Sequence, residues 1–476
     1  MGYHPGMEDD ANFLAASKAA LNPALYPYNS GFFRLQLKLS IFDKFIADSV
    51  RLTHIPLAWT VLFWQLLSLF VILWAAWRIA ARLFSEASAQ WAGVAMLSAM
   101  FTLPVAGTAI YIADQHLHSR NIATALILLA VSRILERKTW QAVPLVLLAF
   151  AFHPLMGAMG ISFCCVLSLT LFQPLHKWIQ ARRNRNNDGL ATTAIAAIPF
   201  AWLFDPPSPT WLEALHTRRF LLLFEWTWYE WLGAIAPLAL FWLVARVARR
   251  RGDWMLARFA TAILIYGIFQ QAVAFLLLGP QSPITFCTLE PMRYLQLVYI
   301  FLALLGGCYA GRYLLKASVW RWTLFLLIVN VPMFYVQRQT FPGTVHLEMP
   351  GAAPSSSWLQ AFDWIRHNTP TDAYFALDPW YLDAPGEDCH GFRALAERSS
   401  LADAVKDTTV VTKMPQLGPA WKEQNLAEVG WSHFQLADFE RLKARFGVDW
   451  VLVSYPQPAS LDCHWHNDIL AVCQIP

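Results

Sequence analysis

The segment IPLAWTVLFWQLLSLFVILWAAW, residues 55–77, contains no charged side chain. A helix needs about 20 apolar residues to cross the hydrocarbon core of a bilayer, so this segment is long enough to span it. Other charge-free windows lie at residues 87–113, 121–132, 139–176, 189–204, 231–245, 259–289, 294–311 and 322–337. The window 139–176 is too long for one helix, and His153-Pro154 divides it because the residue before a proline is pushed out of the α region. The pattern predicts a polytopic α-helical bundle of about ten transmembrane helices.

The composition favours a membrane protein over a soluble one. The chain is 57% hydrophobic and only 14% charged, with a mean hydropathy of +0.38, which is unlike a soluble globular protein. Its 23 tryptophans are typical of side chains at the two membrane interfaces. The basic residues lie in short loops between apolar windows, without the Lys/Arg-rich arm that binds a phosphate backbone. We therefore expect the lipid bilayer as a partner and no nucleic acid.

The distribution of Lys and Arg predicts the orientation in a bacterial inner membrane. Loops rich in basic residues alternate with loops that are poor in them, and the rich loops are expected to be cytoplasmic. These loops contain Arg78/Arg82, Arg133/Arg137/Lys138, Lys177/Arg182/Arg183/Arg185, Arg246/Arg249/Arg250/Arg251 and Arg312/Lys316/Arg321. On this basis the periplasmic side holds residues 1–54, 113–120, 153–160, 205–228, 280–293 and everything after 337.

Four regions follow from these patterns. Residues 1–54 are expected to form an outer loop with amphipathic helices in the membrane interface, and 55–337 the helical bundle. Residues 338–357 form a linker rich in Pro, Gly and Ser, and 358–476 a small soluble periplasmic α/β domain. In that domain we expect helices at 358–367 and 438–446 and strands at 373–377 and 448–454.

Two features at the chain ends extend this expectation. The polar start Met1–Asp10 has no apolar segment before it, so we expect a helix to be missing there; the alternative is translocation of the whole tail by the next span. Cys389, Cys463 and Cys473 face an oxidising compartment in this topology, so we expect one pair to form a disulfide and one thiol to remain.

Two polar segments on the outer side carry carboxylates. Glu8-Asp9-Asp10 places three carboxylates together, which suits general-base catalysis or a divalent cation. The alternative is a solvated acidic tail. In the loop Asp114-Gln115-His116-Leu117-His118-Ser119-Arg120 an acid, two imidazoles and a guanidinium can bind a phosphate and move a proton. The alternative there is a capped helix start with an arginine at the headgroups.

Two further polar positions fall on the same side of the membrane. His153 lies at the break in an apolar window, where an ionisable group is by default a functional-site hypothesis. The alternative is a histidine bonded to a neighbouring carbonyl. Glu290 and Arg293 lie where a helix is expected to begin, and Arg293 either binds a lipid phosphate or anchors its helix. We predict that these outer residues converge on one cavity.

Short motifs throughout the chain resemble the GT-C superfamily of membrane glycosyltransferases, and most closely a group of bacterial membrane proteins without an assigned function. The motifs are Gly2-Tyr3-His4-Pro5 with Glu8-Asp9, Leu103-Pro104-Val105-Ala106-Gly107-Thr108, His153-Pro154-Leu155-Met156, Trp364-Ile365-Arg366-x-Asn368-Thr369-Pro370 and Phe392-Arg393-x-x-x-x-Arg398-Ser399. The resemblance implies an inverting enzyme that uses a polyprenyl-phosphate-linked sugar.

The same resemblance implies roles for individual residues. Asp9 or Asp10 would be the outer-loop carboxylate that acts as general base or metal ligand, and Asp114 the second acid. A divalent cation, Mg or Mn, would lie at Asp9 and Asp114. The chemistry of the outer polar segments, rather than the resemblance, predicts the substrate contacts, which are Glu8, His116, His118, Arg120, His153, Glu290, Arg293 and Arg393. Asp10 would deprotonate a glycan or protein acceptor while Arg120 and Arg293 hold the donor phosphate.

Two other functions remain open. A transporter or flippase of lipid-linked glycans would show internal pseudo-symmetry with broken helices at the bilayer midplane, which the sequence does not display. A membrane scaffold whose C-terminal domain binds a partner is the third possibility. No Gly-rich phosphate loop is present, which agrees with a lipid-linked donor or with no enzyme at all.

Overall fold

A computed structural model describes residues 1–35, 38, 40–172, 207–280, 282–458 and 460–476. The described residues of the N-terminal region contain three α-helices, α1 (Asp10–Leu21), α2 (Gly31–Arg34) and α3 (Phe42–Thr53). Helix α1 packs against α3 on one side and against the C-terminal domain on the other. Its alanines Ala15, Ala16 and Ala19 are buried there, since small side chains permit close approach.

The bundle follows as α4 (Leu57–Leu83), α5 (Ala87–Ala99), α6 (Ser119–Leu135), α7 (Thr139–Phe152), α8 (Pro154–Leu171), the short α9 (Pro209–His216), α10 (Trp228–Arg251), α11 (Trp254–Leu278), α12 (Leu295–Ala310) and α13 (Val319–Thr340). Within the described residues six segments are long and apolar enough to cross a membrane: α4, α8, α10, α11, the continuous stretch Ile284–Leu315 around α12, and α13. Helix α7 is apolar but shorter. The window 189–204 lies outside the described residues.

Local signals explain several helix ends. Pro154 starts α8 directly after α7, which confirms the division of the window 139–176. Helix α10 starts with a capping box, in which the Glu230 side chain accepts a hydrogen bond from the Thr227 backbone at 2.6 Å. It ends at Gly252, whose φ of 80° is a conformation that glycine adopts without strain.

The window 87–113 is not one helix, contrary to the prediction. Helix α5 ends at Ala99, and a two-stranded hairpin of β1 (Pro104–Val105) and β2 (Ile110–Tyr111) follows. The hairpin lacks charges because its side chains Val105 and Ile110 are buried against the bundle. Burial in a loop and burial in a helix leave the same apolar signal in the sequence.

Arginine ion pairs lie together at one end of the bundle. Arg78 at the end of α4 donates to Glu136 after α6, with an Nε to Oε1 distance of 3.1 Å. Arg312 contacts Glu86 at 2.9 Å and Asp253 at 3.2 Å, which ties three interhelical loops together. The loops predicted to be rich in basic residues therefore share one end, as far as the structure describes them.

The C-terminal domain contains α14 (Ser357–Asn368), β3 (Tyr374–Leu377), α15 (Phe392–Ala396), β4 (Ser399–Ser400), α16 (Lys406–Lys413), α17 (Gly418–Ala427), α18 (Leu436–Phe446), β5 (Trp450–Ser454), β6 (Asp462–His466) and β7 (Leu470–Gln474). The strands form one mixed sheet in the order β4-β3-β5-β7-β6. Strand β3 runs parallel to β4 and β5, whereas β7 pairs antiparallel with β5 and β6. The predicted helices and strands of this domain are present, and Cys463 and Cys473 form a disulfide while Cys389 is free.

Candidate functional site

A cavity of about 570 Å³ lies where the bundle, the N-terminal segment and the C-terminal domain meet. Most of the residues singled out from the sequence line it: Glu8, Asp9, Asp114, His118, Arg120, His153, Glu290 and Arg293. They come from loops and helix ends that are far apart in the chain. The predicted convergence of the outer polar residues is thus present for these positions.

Asp114 and Arg120 form a buried ion pair in the cavity wall. Arg120 donates to both carboxylate oxygens of Asp114, at 3.0 Å from Nε and 2.7 Å from Nη2, and only 1–3% of either side chain is exposed. Burial would raise the pKa of Asp114, but the adjacent guanidinium outweighs it and lowers the pKa. Both oxygens of Asp114 are therefore engaged, and its role is to hold Arg120 in place.

His118 and His153 cap the N-termini of α6 and α8, and both also line the cavity. The Nδ1 atom of His118 accepts a hydrogen bond from the Arg120 backbone N–H at 2.9 Å, and that of His153 accepts one from Met156 at 3.3 Å. A neutral ring that accepts at Nδ1 carries its proton on Nε2. In His118 this Nε2 lies 3.7 Å from Oδ2 of Asp9, so the cap fixes which nitrogen faces the carboxylate.

Asp9 is the carboxylate most available to a ligand in this cavity. Its oxygens lie 3.7 Å from Lys406 Nζ, 3.7 Å from His118 Nε2 and 3.9 Å from Arg120 Nη2, and 39% of its side chain is exposed. Burial would raise its pKa, but the charge of Lys406 and the nearby His118 and Arg120 hold the pKa well below its usual value. Asp9 is therefore ionised, and none of its ion pairs is short enough to occupy an oxygen fully.

Glu8 lies beside Asp9 but in a different electrostatic setting. Burial raises its pKa, and the neighbouring Asp9 and Asp114 add to this effect, while Lys406 opposes it. Its backbone adopts a φ of 49°, and its N–H donates to the Cys389 carbonyl at 2.9 Å. The segment is thus clamped to the C-terminal domain at the residue that precedes Asp9.

The cavity also carries cations with unused hydrogen-bond donors. Among the described residues, Arg120 Nη1, Arg218 Nε and Arg293 Nε are buried without an acceptor. Arg293 pairs with Glu290 at 2.9 Å, and Lys413 lies 3.6 Å from the same carboxylate. Buried donors without partners are costly, so this wall is suited to an anion that brings several acceptor oxygens.

The sequence did not single out Arg218, Lys406 or Lys413, which also line the cavity. Lys406 and Lys413 lie seven residues apart on α16, a spacing that places both on one helix face. This spacing could suggest that the two lysines act together, but it could not place them in the cavity. The helix face that contacts the bundle is set by the packing of the C-terminal domain.

Three of the predicted site residues lie outside the lining of this cavity. Asp10 is 2% exposed and accepts a hydrogen bond from the Gly6 N–H at 2.7 Å, so it folds the N-terminal turn inward. His116 is buried, and burial lowers its pKa to about 3, so it is a neutral internal ring. Arg393 is an internal residue of the C-terminal domain, where its two terminal nitrogens each lie 2.8 Å from an oxygen of Asp407.

The segment around Arg393 nevertheless contacts the N-terminal region. Met7 forms a bridge with His390, and the Gly391 N–H donates to the Gly6 carbonyl at 2.9 Å. Glu348 in the linker contacts His4 at 2.6 Å and His390 at 3.1 Å. These contacts fix the strand-like segment that leads to Asp9.

The donor set does not fit the divalent cation that the resemblance implies. Within the described part of the chain, no group of three or more His, Cys, Asp or Glu side chains is arranged to hold a metal ion. Arg120 occupies both oxygens of Asp114 and lies 3.9 Å from Asp9, so a cation between the two acids would meet a fixed positive charge. Arg120 keeps its Nη1 without an acceptor among the described residues, so this ion pair is suited to an anion rather than to a metal ion.

Fold and site together define the class as a multi-pass α-helical membrane protein with a small C-terminal α/β domain and a charged cavity between the two parts. Neither models of known protein families nor curated protein sequences match this chain. The functional argument therefore depends on the geometry of the cavity.

Proposed function

We propose that the protein is a GT-C-like glycosyltransferase that moves a sugar from a polyprenyl-phosphate donor to a periplasmic or lipid-linked acceptor. The observation that carries the proposal is the presence of an available carboxylate, Asp9, in one cavity with unpartnered guanidinium N–H groups. Transfer from a phosphate-linked donor needs this combination, a base for the acceptor and donors for the departing phosphate.

Binding of the donor phosphate is supported by the three arginines with free donors. Arg120, Arg218 and Arg293 each have a buried N–H without an acceptor among the described residues, and Lys413 adds a positive charge at the same wall. Phosphate oxygens would satisfy these donors with charge-assisted hydrogen bonds. The cavity volume of about 570 Å³ lies within the ~300–1,000 Å³ of small-molecule sites.

The reaction would be a single displacement at the anomeric carbon. The acceptor oxygen attacks from the side opposite the phosphate, its proton passes to the Asp9 carboxylate, and the carbon–oxygen bond to the phosphate breaks. The electron pair of that bond stays on the phosphate, which the guanidinium groups hold as its charge develops. This assigns the base to Asp9 in place of Asp10, because Asp10 points away from the cavity.

We also propose the membrane orientation that this function requires, with the cavity on the periplasmic side. The Arg-rich end, marked by the Arg78–Glu136 and Arg312–Asp253 pairs, would be cytoplasmic, and the cavity end periplasmic. The disulfide between Cys463 and Cys473 supports an oxidising compartment for the C-terminal domain. About ten spans result if α5, α6, α7 and the window 189–204 are counted with the six long segments.

The test is transfer by the purified full-length protein in nanodiscs. Radiolabelled polyprenyl-phosphate sugars are supplied together with periplasmic extract or lipid-linked glycans, and labelled acceptor is sought. Transfer that disappears in an Asp9→Asn variant supports the proposal. Movement of the intact lipid-linked glycan across the bilayer without transfer would favour a flippase, and binding of a protein partner alone would favour a scaffold.

A further inference from the structure

A second cavity, of about 420 Å³, lies between α9 and the C-terminal domain. Its wall comes from the end of β3, the helix α17 and the turn that follows α17. It shares no lining residue with the cavity around Asp9. Its function is therefore not explained by the proposed transfer reaction.

Glu428 is the unusual residue in this wall. Its side chain lies almost entirely in the interior, since the residue is 1% exposed, and neither carboxylate oxygen has a hydrogen-bond partner among the described residues. A buried carboxyl group without partners is costly whether it is ionised or protonated. A ligand that donates hydrogen bonds or carries positive charge would remove this cost.

The electrostatics around Glu428 favour a positive ligand. Asp378 lines the same cavity, and Lys422 and Glu213 on the rim pair with each other, so that the cation there is already neutralised. Burial raises the pKa of Glu428 well above its usual value, and Asp378 and Asp403 raise it further, while Arg393 opposes them. Arg393 is itself engaged with Asp407, so it does not act as the partner of Glu428.

Aromatic side chains complete the wall. Trp380, Trp421 and Trp431 all line the cavity, and Trp380 is 55% exposed at its rim. The face of a tryptophan attracts organic cations. A tryptophan face and a carboxylate in one wall can both attract the same ammonium group.

We propose that this second cavity binds an organic cation, an ammonium group carried by a ring or chain of about the size of a monosaccharide. The ammonium would bond to Glu428, with Asp378 close by, and the body of the ligand would lie against Trp380. An amino sugar and a lysine side chain share this chemistry. The inference stands independently of the proposed transferase activity.

The experiment is calorimetric titration of the full-length protein in nanodiscs at pH 7 with three probes. These are glucosamine, its neutral analogue N-acetylglucosamine, and Nα-acetyl-lysine amide. We expect at least one of the two amines to bind roughly tenfold or more tightly than N-acetylglucosamine. The tighter amine identifies the source of the ammonium group, and either result supports the proposal.

Matched variants test the site itself. Glu428→Gln keeps the shape and hydrogen-bonding capacity of the side chain but cannot release a proton and become charged, so amine binding should be lost. Glu423→Gln makes the same change on α17 outside the cavity and should leave amine binding unchanged. Trp380→Ala changes an exposed side chain, with an expected weakening of roughly two- to fivefold.

The pH dependence gives an independent readout. If Glu428 releases a proton when the ammonium binds, binding strengthens as the pH rises, and the apparent enthalpy differs between buffers of different ionisation enthalpy. Equal binding of glucosamine and N-acetylglucosamine would overturn the proposal in favour of a neutral sugar site. Absence of amine binding, or unchanged binding in Glu428→Gln, would overturn it as well.

Discussion

The carboxylates of Asp9 and Asp10 are neighbours in the sequence but lie in opposite environments. Asp9 faces the cavity with 39% of its side chain exposed, whereas Asp10 is 2% exposed and accepts a hydrogen bond from Gly6. Asp10 is the first residue of α1, where one step along the helix turns a side chain by about 100°. This rotation separates a candidate base from a structural acid.

Exchange of Asp9 for Asn should therefore remove sugar transfer, while the same change at Asp10 should leave most of it. Loss of a general base costs roughly 10²- to 10⁴-fold in rate, and the asparagine is isosteric, so the fold should be retained. The measurement is transfer rate by each variant in nanodiscs, with insertion checked by protease protection. Equal activity of Asp9→Asn and wild type would show that Asp9 is not the general base.

The stability of the protein should depend on pH through Asp10. Burial raises the pKa of Asp10 to about 7, and Asp114 and Asp9 add to this, against the Gly6 hydrogen bond and Lys18. The folded state therefore favours the protonated acid, so its contribution is complete below about pH 4 and is lost as the pH rises through 7.

In Asp10→Asn this pH dependence should be absent, because the amide does not titrate. The wild type should lose up to about 1.4 kcal/mol relative to the variant for each pH unit between these limits. Apparent unfolding temperatures of both proteins from pH 4.5 to 8 are the measurement. Parallel curves for the two proteins would contradict the assignment.

Arg218 should contribute to donor binding without supporting the fold. Its Nε has no acceptor among the described residues, so Arg218→Gln breaks no hydrogen bond at that atom. Removal of one charge-assisted contact to a phosphate should raise the KM for the lipid-linked donor several-fold, and the unfolding temperature should not change. Arg219→Gln is the neighbouring control, since Arg219 contacts Glu225 and Glu230 outside the cavity. A similar KM change in both variants would exclude a specific role for Arg218.

Transfer should survive removal of divalent cations. Asp114 gives both oxygens to Arg120, and the described residues hold no cluster suited to a metal. Activity after dialysis against EDTA should equal the untreated activity, and added Mg²⁺ or Mn²⁺ should not increase it. Complete loss of activity with EDTA and its recovery with Mn²⁺ would contradict this prediction and favour a metal ion bound by Asp9 and Asp114.

The topology can be checked at the end of α13. Alkaline phosphatase fused after Thr340 should be active, because the Arg-rich loop that contains Arg312 precedes this helix and is expected to be cytoplasmic. A green fluorescent protein fused at the same point should be dark. The reverse pattern would place the cavity on the cytoplasmic side and remove the polyprenyl-linked donor as substrate.

Much of the helical bundle was predictable from the sequence. A long apolar window and the break at His153-Pro154 each determine the structure of their own segment, without help from distant residues. The prediction of a helix over the whole window 87–113 was wrong for a physical reason: Val105 and Ile110 of the β1–β2 hairpin are buried against the bundle, so a loop carries the apolar signal of a helix. A side-chain Cβ at Gly107 would lie 2.5 Å from the Trp226 ring. The cavity was predictable where polar residues interrupt apolar windows. Lys406 and Lys413 were not, because their partners Asp9 and Glu290 become neighbours only after the C-terminal domain packs.

The pairing of Lys406 with Asp9 means that the candidate base belongs to one part of the molecule and its nearest lysine to another. The positive charge beside Asp9 is therefore supplied in part by the C-terminal domain. Asp9 lies in the N-terminal segment and Lys406 on α16 of the C-terminal domain, so the electrostatic environment of the candidate base is completed only by packing between residues that are far apart in the chain.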